Sequence, residues 1–189
     1  MTEFIPFPSI ARLSGKHMVI SEKIDGTNAQ IRIEEDGTML VGSRSRWITP
    51  EDDNFGFARW VKEHEDELRG LGPGSHFGEW WGSGVQRGYG LKNGERRLSL
   101  FNISRWEKSE SPLPACVSLV PKLYEGPFDT STIEATLEAL RLGGSIAAPG
   151  FMDPEGVVVW HAAARVLFKK TLDGDGHKHE RDRSKKETR

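Results

Sequence analysis

Within eight residues, Ser21-Glu22-Lys23-Ile24-Asp25-Gly26-Thr27-Asn28, the chain sets a primary amine between two carboxylates and follows it with a turn pair. The short apolar run His17-Met18-Val19-Ile20 leads in, and Asp25-Gly26 breaks the extended chain. A lysine placed so has its amine displayed where a strand edge meets a pocket. An amine attacks only when uncharged, so Lys23 as a nucleophile needs desolvation or neighbouring cations to shed its proton. The same Lys-x-Asp-Gly pattern also describes an ordinary strand end with a surface lysine, because it is short. What decides between the two is the rest of the chain.

The elements around the octet are mostly strands. Ala29-Gln30-Ile31-Arg32-Ile33 alternates at the period of a half-buried strand, Glu35-Asp36-Gly37 turns the chain, and Met39-Leu40-Val41 begins a partner, so 17–43 reads as a β-rich block with a hairpin. From 55 to 68 the period changes: Phe57, Trp60, Val61, His64 and Leu68 fall three and four apart, as on one face of a helix. Strands are expected at 75–80, 98–106, 116–120, 156–160 and 164–170. A second helix is expected from Ser131, with capping-box spacing to Glu134, a buried face of Ile133, Leu137 and Leu140, and a stop at Gly143-Gly144. The expected fold is one α+β domain over 1–172, of mostly antiparallel β-sheets with a few flanking helices, followed by a polar, disordered tail over 173–189.

Composition narrows the function classes. The net charge of −2 argues against a passive nucleic-acid coat, which needs an excess of Lys and Arg, more than against an enzyme that visits ends. No stretch approaches the roughly 20 apolar residues of a membrane span, and no signal peptide opens the chain, so a cytoplasmic protein without membrane contact is expected. The single cysteine, Cys116, has no activating neighbour and reads as inert core. The glycines of 82–90 lack the Gly-Lys-Ser/Thr ending of a phosphate loop and read as a flexible loop, and His177 and His179 read as solvated.

Glu22-Lys23-Ile24-Asp25-Gly26-Thr27-Asn28 resembles the first motif of the covalent nucleotidyltransferases, the superfamily of ATP-dependent ligases and mRNA capping enzymes. With Glu before the lysine and Gly-Thr-Asn after it, the segment looks most like RNA ligases of the bacteriophage RNA ligase 2 type. Five further segments follow in that family's order: Ser43-Arg44, the acidic motif Phe77-Gly78-Glu79-Trp80-Trp81-Gly82, the aromatic segment Leu98-Ser99-Leu100-Phe101-Asn102-Ile103, Glu155-Gly156-Val157-Val158-Val159, and Leu167-Phe168-Lys169-Lys170-Thr171. Together they reach from Glu22 to Thr171. The resemblance implies the nucleotidyltransferase fold and an ATP-dependent enzyme whose Lys23 holds AMP as a phosphoramidate. AMP would then pass to a 5′-phosphate end of RNA, for sealing with a 3′-hydroxyl.

It also implies roles for individual residues. Glu22 would lie near the base, Glu79 at the ribose hydroxyls and Phe101 against adenine. Asn28 would line the nucleotide site. Glu155 would stand near a Mg²⁺ ion or the reacting lysine, and Arg44, Lys169 and Lys170 would neutralise phosphate charge. Lys169 and Lys170 are neighbours in one strand, so their side chains point to opposite faces and only one meets the nucleotide; Lys169 is favoured. Many relatives add a second domain after the last motif, whereas here about a score of polar residues follow Lys170. The resemblance therefore supports self-adenylylation more than unassisted sealing, and an accessory nucleic-acid-binding partner is one expectation. A DNA ligase, a GTP-using capping enzyme and a non-catalytic nucleotide- or RNA-binding module share the Lys-x-Asp-Gly core or its pocket and stay open.

Overall fold

Apolar side chains at every second position, Ala29, Ile31 and Ile33, commit one face of strand β2 (Thr27–Ile33) to a core and leave the other to solvent or a cleft. In the computed structural model, which describes residues 16–173, β2 is the centre of a six-stranded sheet. Its order is β4 (Trp47–Ile48), β3 (Met39–Gly42), β2, β5 (Gly74–Gly82), β6 (Arg96–Leu100), β7 (Val117–Leu119). All neighbours are antiparallel except β6 and β7. The core behind this sheet is filled by Phe57 and Val61 of α1 (Phe57–Glu63) and Leu68 of α2 (Glu65–Leu68), packed on Trp80 and Leu98.

A second sheet has the order β10 (Val166–Thr171), β9 (Gly156–His161), β1 (His17–Lys23), β8 (Lys122–Pro127), all antiparallel. Met18, Ile20, Val157 and Val159 share its outer face and pack on Leu137 and Leu140 of α4 (Thr130–Gly143). The other face looks across a cleft at the six-stranded sheet. Among the described residues no helix is long and apolar enough to cross a membrane.

The α+β architecture of mostly antiparallel sheets agrees with the sequence reading; several element bounds do not. The helix expected over 55–68 is broken at His64 into α1 and α2. The strand expected over 98–106 stops at Leu100, where Asn102 caps a short helix α3 (Ile103–Glu107) by accepting from the Arg105 N–H. The cap of α4 is Asp129, which accepts from the Ser131 N–H; capping-box spacing from Ser131 misplaced the start. Strand β8 lacked an alternating apolar pattern and was not anticipated. Asp173, first residue of the expected tail, pairs with Arg87; residues 174–189, with His177 and His179, lie outside the described residues.

Candidate active site

Opposed residues of an antiparallel pair share a face, so the register of β1, β9 and β10 sorts the candidate side chains. Lys23 lies opposite Gly156, Ser21 opposite Val158, and Val158 opposite Lys169. Lys23, Ser21 and Lys169 therefore stand on the cleft face, as favoured for Lys169. Lys170 sits one residue out of phase, opposite Val157, and its ammonium pairs with Glu134 of α4 on the outer face. Its expected contact with a nucleotide is corrected on that ground.

The turn after Lys23 carries the amine to the junction of the two sheets. A methyl group at Gly26 would stand 2.4 Å from the Trp80 carbonyl oxygen, so only glycine permits this approach. Its N–H donates to Glu79 Oε1 at 3.0 Å, which ties the turn of one sheet to β5 of the other. The Lys23 ammonium donates to Glu155 Oε2 at 2.6 Å. Lys23 retains some access to solvent, whereas Glu155 is 1% exposed. The resemblance puts Glu155 near a metal ion or near the reacting lysine, and its carboxylate here accepts from that lysine.

Glu79 is mostly buried, and burial pushes its carboxyl up to about 7, against the pull of the Lys23 ammonium and the Gly26 N–H; the charges of Glu155 and Asp25 push it further up. Asn28 lies directly opposite Glu79 on β2, exposed on the same face. Phe77 and Phe101 line a cavity of about 710 Å³ between the sheets, with Val19, Ser21, Val158 and Trp160 on its other wall. Phe101 follows the end of β6 and is half exposed. Arg44 is exposed in the turn between β3 and β4 and makes no ion pair or side-chain hydrogen bond with the described residues. Nothing in the structure brings it to the Lys23 cluster.

Glu22 is placed elsewhere. Its carboxylate, 1% exposed, lies on the outer face and accepts from Ser145 Oγ at 2.5 Å and from the Ile146 and Ala147 N–H groups, both at 2.9 Å. The side chain braces the loop after α4 and does not reach the cleft, which corrects the expectation that it lies near the base. A buried carboxylate needs such donors, and no sequence motif marks 145–147 as their source.

Two site residues were missed. Tyr89 is buried, accepts from the Asp25 N–H at 2.9 Å and packs its ring at a tilt against Phe151; burial pushes its hydroxyl up, so it stays a neutral phenol. Arg87 reaches Asp25, Asp153 and Asp173 together. Both belong to the loop read as flexible from its glycines, which is in fact packed against the Lys23 turn. Cys116 is partly buried against the first core, and burial pushes its thiol up to about 11, as suits an inert residue.

The fold and this junction define a nucleotidyltransferase-type domain. A family model described as RNA ligase matches residues 16–171, and the chain belongs to that family. Among solved structures it is similar to a Naegleria gruberi RNA ligase mutant with AMP and Mn, at 17% identity and a TM-score of 0.62, covering 85% of this chain and 51% of that one. Another mutant, with ATP and Mn, matches at 16% identity and 0.59, covering 90% and 57%. The same ligase with PPi matches at 16% and 0.58, covering 89% and 52%. The chain thus spans about half the length of these solved relatives. No curated protein matches it significantly.

Burial of Glu79 makes its ionisation a testable property of the site. The folded carboxyl holds its proton up to about pH 7, whereas the unfolded one releases it near 4.5. Its contribution to stability is therefore full below pH 4.5 and is lost as pH rises through 7. In Glu79→Gln, which mimics the neutral form, the nucleotide-free protein is expected to be more stable than wild type at pH 8 by on the order of 3 kcal/mol. The gap should close toward pH 5 in urea melts. Equal stabilities at pH 8 would contradict the placement of Glu79.

Proposed function

We propose that this chain is the catalytic domain of an ATP-dependent RNA ligase that works through a lysyl-AMP intermediate. The observation that carries the reading is the Lys23 amine on the buried carboxylate of Glu155, next to Glu79 and on the cleft face that leads into the cavity holding Phe101. Membership of the RNA ligase family and likeness to structures holding ATP, AMP or PPi support it.

In the first step the proton of Lys23 passes to Glu155 or onward to solvent, and the free amine attacks the α-phosphorus of ATP. A P–N bond forms, the P–O bond to the β-phosphate breaks, and pyrophosphate leaves. In the second, an oxygen of an RNA 5′-phosphate attacks the same phosphorus and releases Lys23. In the third, a 3′-hydroxyl attacks the activated end, the phosphodiester forms and AMP departs. Catalysis of this kind rests on positioning and charge neutralisation. In this reading Glu79 accepts from the ribose hydroxyls, Phe101 stacks on adenine, Asn28 bonds nucleotide polar groups, and Lys169 meets phosphate. Arg44 joins the phosphates only through the acceptor strand.

A divalent ion, Mg²⁺, belongs to the same proposal. The described residues hold no group of three His, Cys, Asp or Glu side chains able to cage an ion, and Glu155 already bonds Lys23. Such a site fits Mg²⁺ carried in by the nucleotide, since that ion commonly takes one or two carboxylates and completes its shell with phosphates and water. When bound it would neutralise phosphate charge. A cytoplasmic setting and an accessory nucleic-acid-binding partner complete the reading.

The test is covalent capture. Wild-type protein incubated with α-labelled ATP and Mg²⁺ and then denatured should retain label that added pyrophosphate removes. Acceptors with 5′-phosphate and 3′-hydroxyl ends should discharge it, RNA ahead of DNA. Absence of retained label from both ATP and GTP would leave a binding module.

A further inference from the structure

The register of the six-stranded sheet places five residues in one straight row across its cleft face. Trp47 pairs with Gly42, Gly42 with Gln30, and Gln30 with Phe77. Phe101 extends the row, donating its N–H to the Phe77 carbonyl at 2.9 Å next to the Gly78–Leu100 pair. Three of the five are aromatic and half exposed: Trp47 at 52%, Phe77 at 53% and Phe101 at 44%. Large aromatics left open in line are not explained by core packing, which in this sheet is served by the opposite face.

Gly42 explains how the edge residue is held. A methyl group there would stand 3.2 Å from both Cε3 and Cζ3 of the Trp47 indole and 3.4 Å from Gln30 Cβ. The ring therefore lies over the glycine, which is buried beneath it, and turns its other side outward. With strands about 4.8 Å apart, Trp47 stands about 14 Å from Phe77, a span of a few nucleotides. The inner end of the row, Phe77 and Phe101, lines the cavity between the sheets; the outer end follows Arg44 and Arg46 of the same hairpin turn. Arg46 is paired with Asp52, which leaves Arg44 as the cation of that turn without an acidic partner among the described residues.

We propose that the outer part of this row, from Trp47 to Phe77, is a stacking track for the unpaired bases of the RNA strand, with Trp47 as its outer step, Arg44 meeting a phosphate and Phe101 left to adenine. The proposal builds on the ligase reading by naming where the acceptor strand lies. Aromatic faces accept any base, because every base presents a π-face, and Arg44 supplies the one phosphate contact of the track. Affinity should accordingly fall only shallowly with salt, as few counterions are released.

Binding of a 5′-phosphorylated single-stranded RNA 12-mer to wild type, Trp47→Phe and Trp47→Ala tests this, with self-labelling by ATP and thermal melting measured in parallel. Trp47→Ala should bind about tenfold more weakly, in line with the loss of one stacked base. Trp47→Phe should keep most of the affinity, and both variants should label with ATP like wild type, because Trp47 lies outside the adenylylation cluster. In wild type, photocrosslinking of 5-iodouridine RNA should map to Trp47, a readout that survives any folding defect of the variants. Unchanged RNA affinity in a folded Trp47→Ala protein, or crosslinks that avoid the row, would overturn the track. Blunt duplex RNA bound as tightly, with the same sensitivity to Trp47→Ala, would overturn the single-strand assignment. Failure of ATP labelling in every protein would instead defeat the ligase reading, while the binding and crosslinking results still decide the track.

Discussion

Lys23→Arg is expected to retain nucleotide binding and a near-native melting temperature while losing covalent labelling by on the order of 10⁴-fold or more. Arginine is the informative substitution because it separates charge from nucleophilicity. Its guanidinium keeps a cation against Glu155, which is 1% exposed. A guanidinium stays protonated in proteins, so it offers no lone pair to the α-phosphorus. Lys23→Ala should lose label equally but also melt earlier, because it removes a cation hydrogen-bonded to a buried carboxylate. Label and ATP affinity are read from the same preparations, by denaturing gel and by equilibrium titration. Label persisting in Lys23→Arg would move the covalent site to another lysine, with Lys169 first in line because it shares the cleft face.

Local pattern made much of this architecture legible, because period-2 and period-3.6 apolar spacing directly records which face is buried. Ala29, Ile31 and Ile33 are buried as their alternation requires, and Leu137 and Leu140 as theirs does. The octet around Lys23 was readable for the same local reason: strand end, nucleophile and turn are contiguous. What the chain could not announce was long-range register. That Lys170 turns outward follows from its being opposite Val157, a fact about three strands together. Glu22 looked like a neighbour of the base by adjacency to Lys23, yet adjacency in a strand means opposite faces, and its donors lie more than 120 residues on. Phe101 was expected inside a strand, whereas the strand ends one residue earlier and frees the ring. Arg87 and Tyr89 were hidden by the glycines around them. Glycine signals backbone freedom in the unfolded chain, and it serves equally for sharp turns in a packed loop; Tyr89 itself sits at φ 49°.

Arg87→Met is expected to lower unfolding free energy by about 2–4 kcal/mol and to slow self-labelling by about tenfold to a hundredfold. The side chain, only 10% exposed, reaches three segments at once with its guanidinium. Its Nε meets Asp25 at 3.3 Å, two residues after the nucleophile; its Nη1 meets Asp153 at 2.8 Å, two residues before Glu155; and its Nη2 meets Asp173, beyond β10. It therefore holds together the pieces that carry Lys23, Glu155 and Lys169. The loss is smaller than for a fully buried network because Asp153 is largely solvated and regains water when the partner goes. The kinetic loss has a separate origin: a shift of about 1 Å between attacking amine and phosphorus is enough for a hundredfold. Arg87→Lys distinguishes the two causes. A point charge reaches one or two of the three carboxylates and should recover most of the stability but little of the rate, since fixed geometry among three segments requires the planar fork. Urea melts at pH 7 and single-turnover labelling with ATP read the two quantities. A methionine variant matching wild type in both would show that the loop can be released without disturbing the nucleophile.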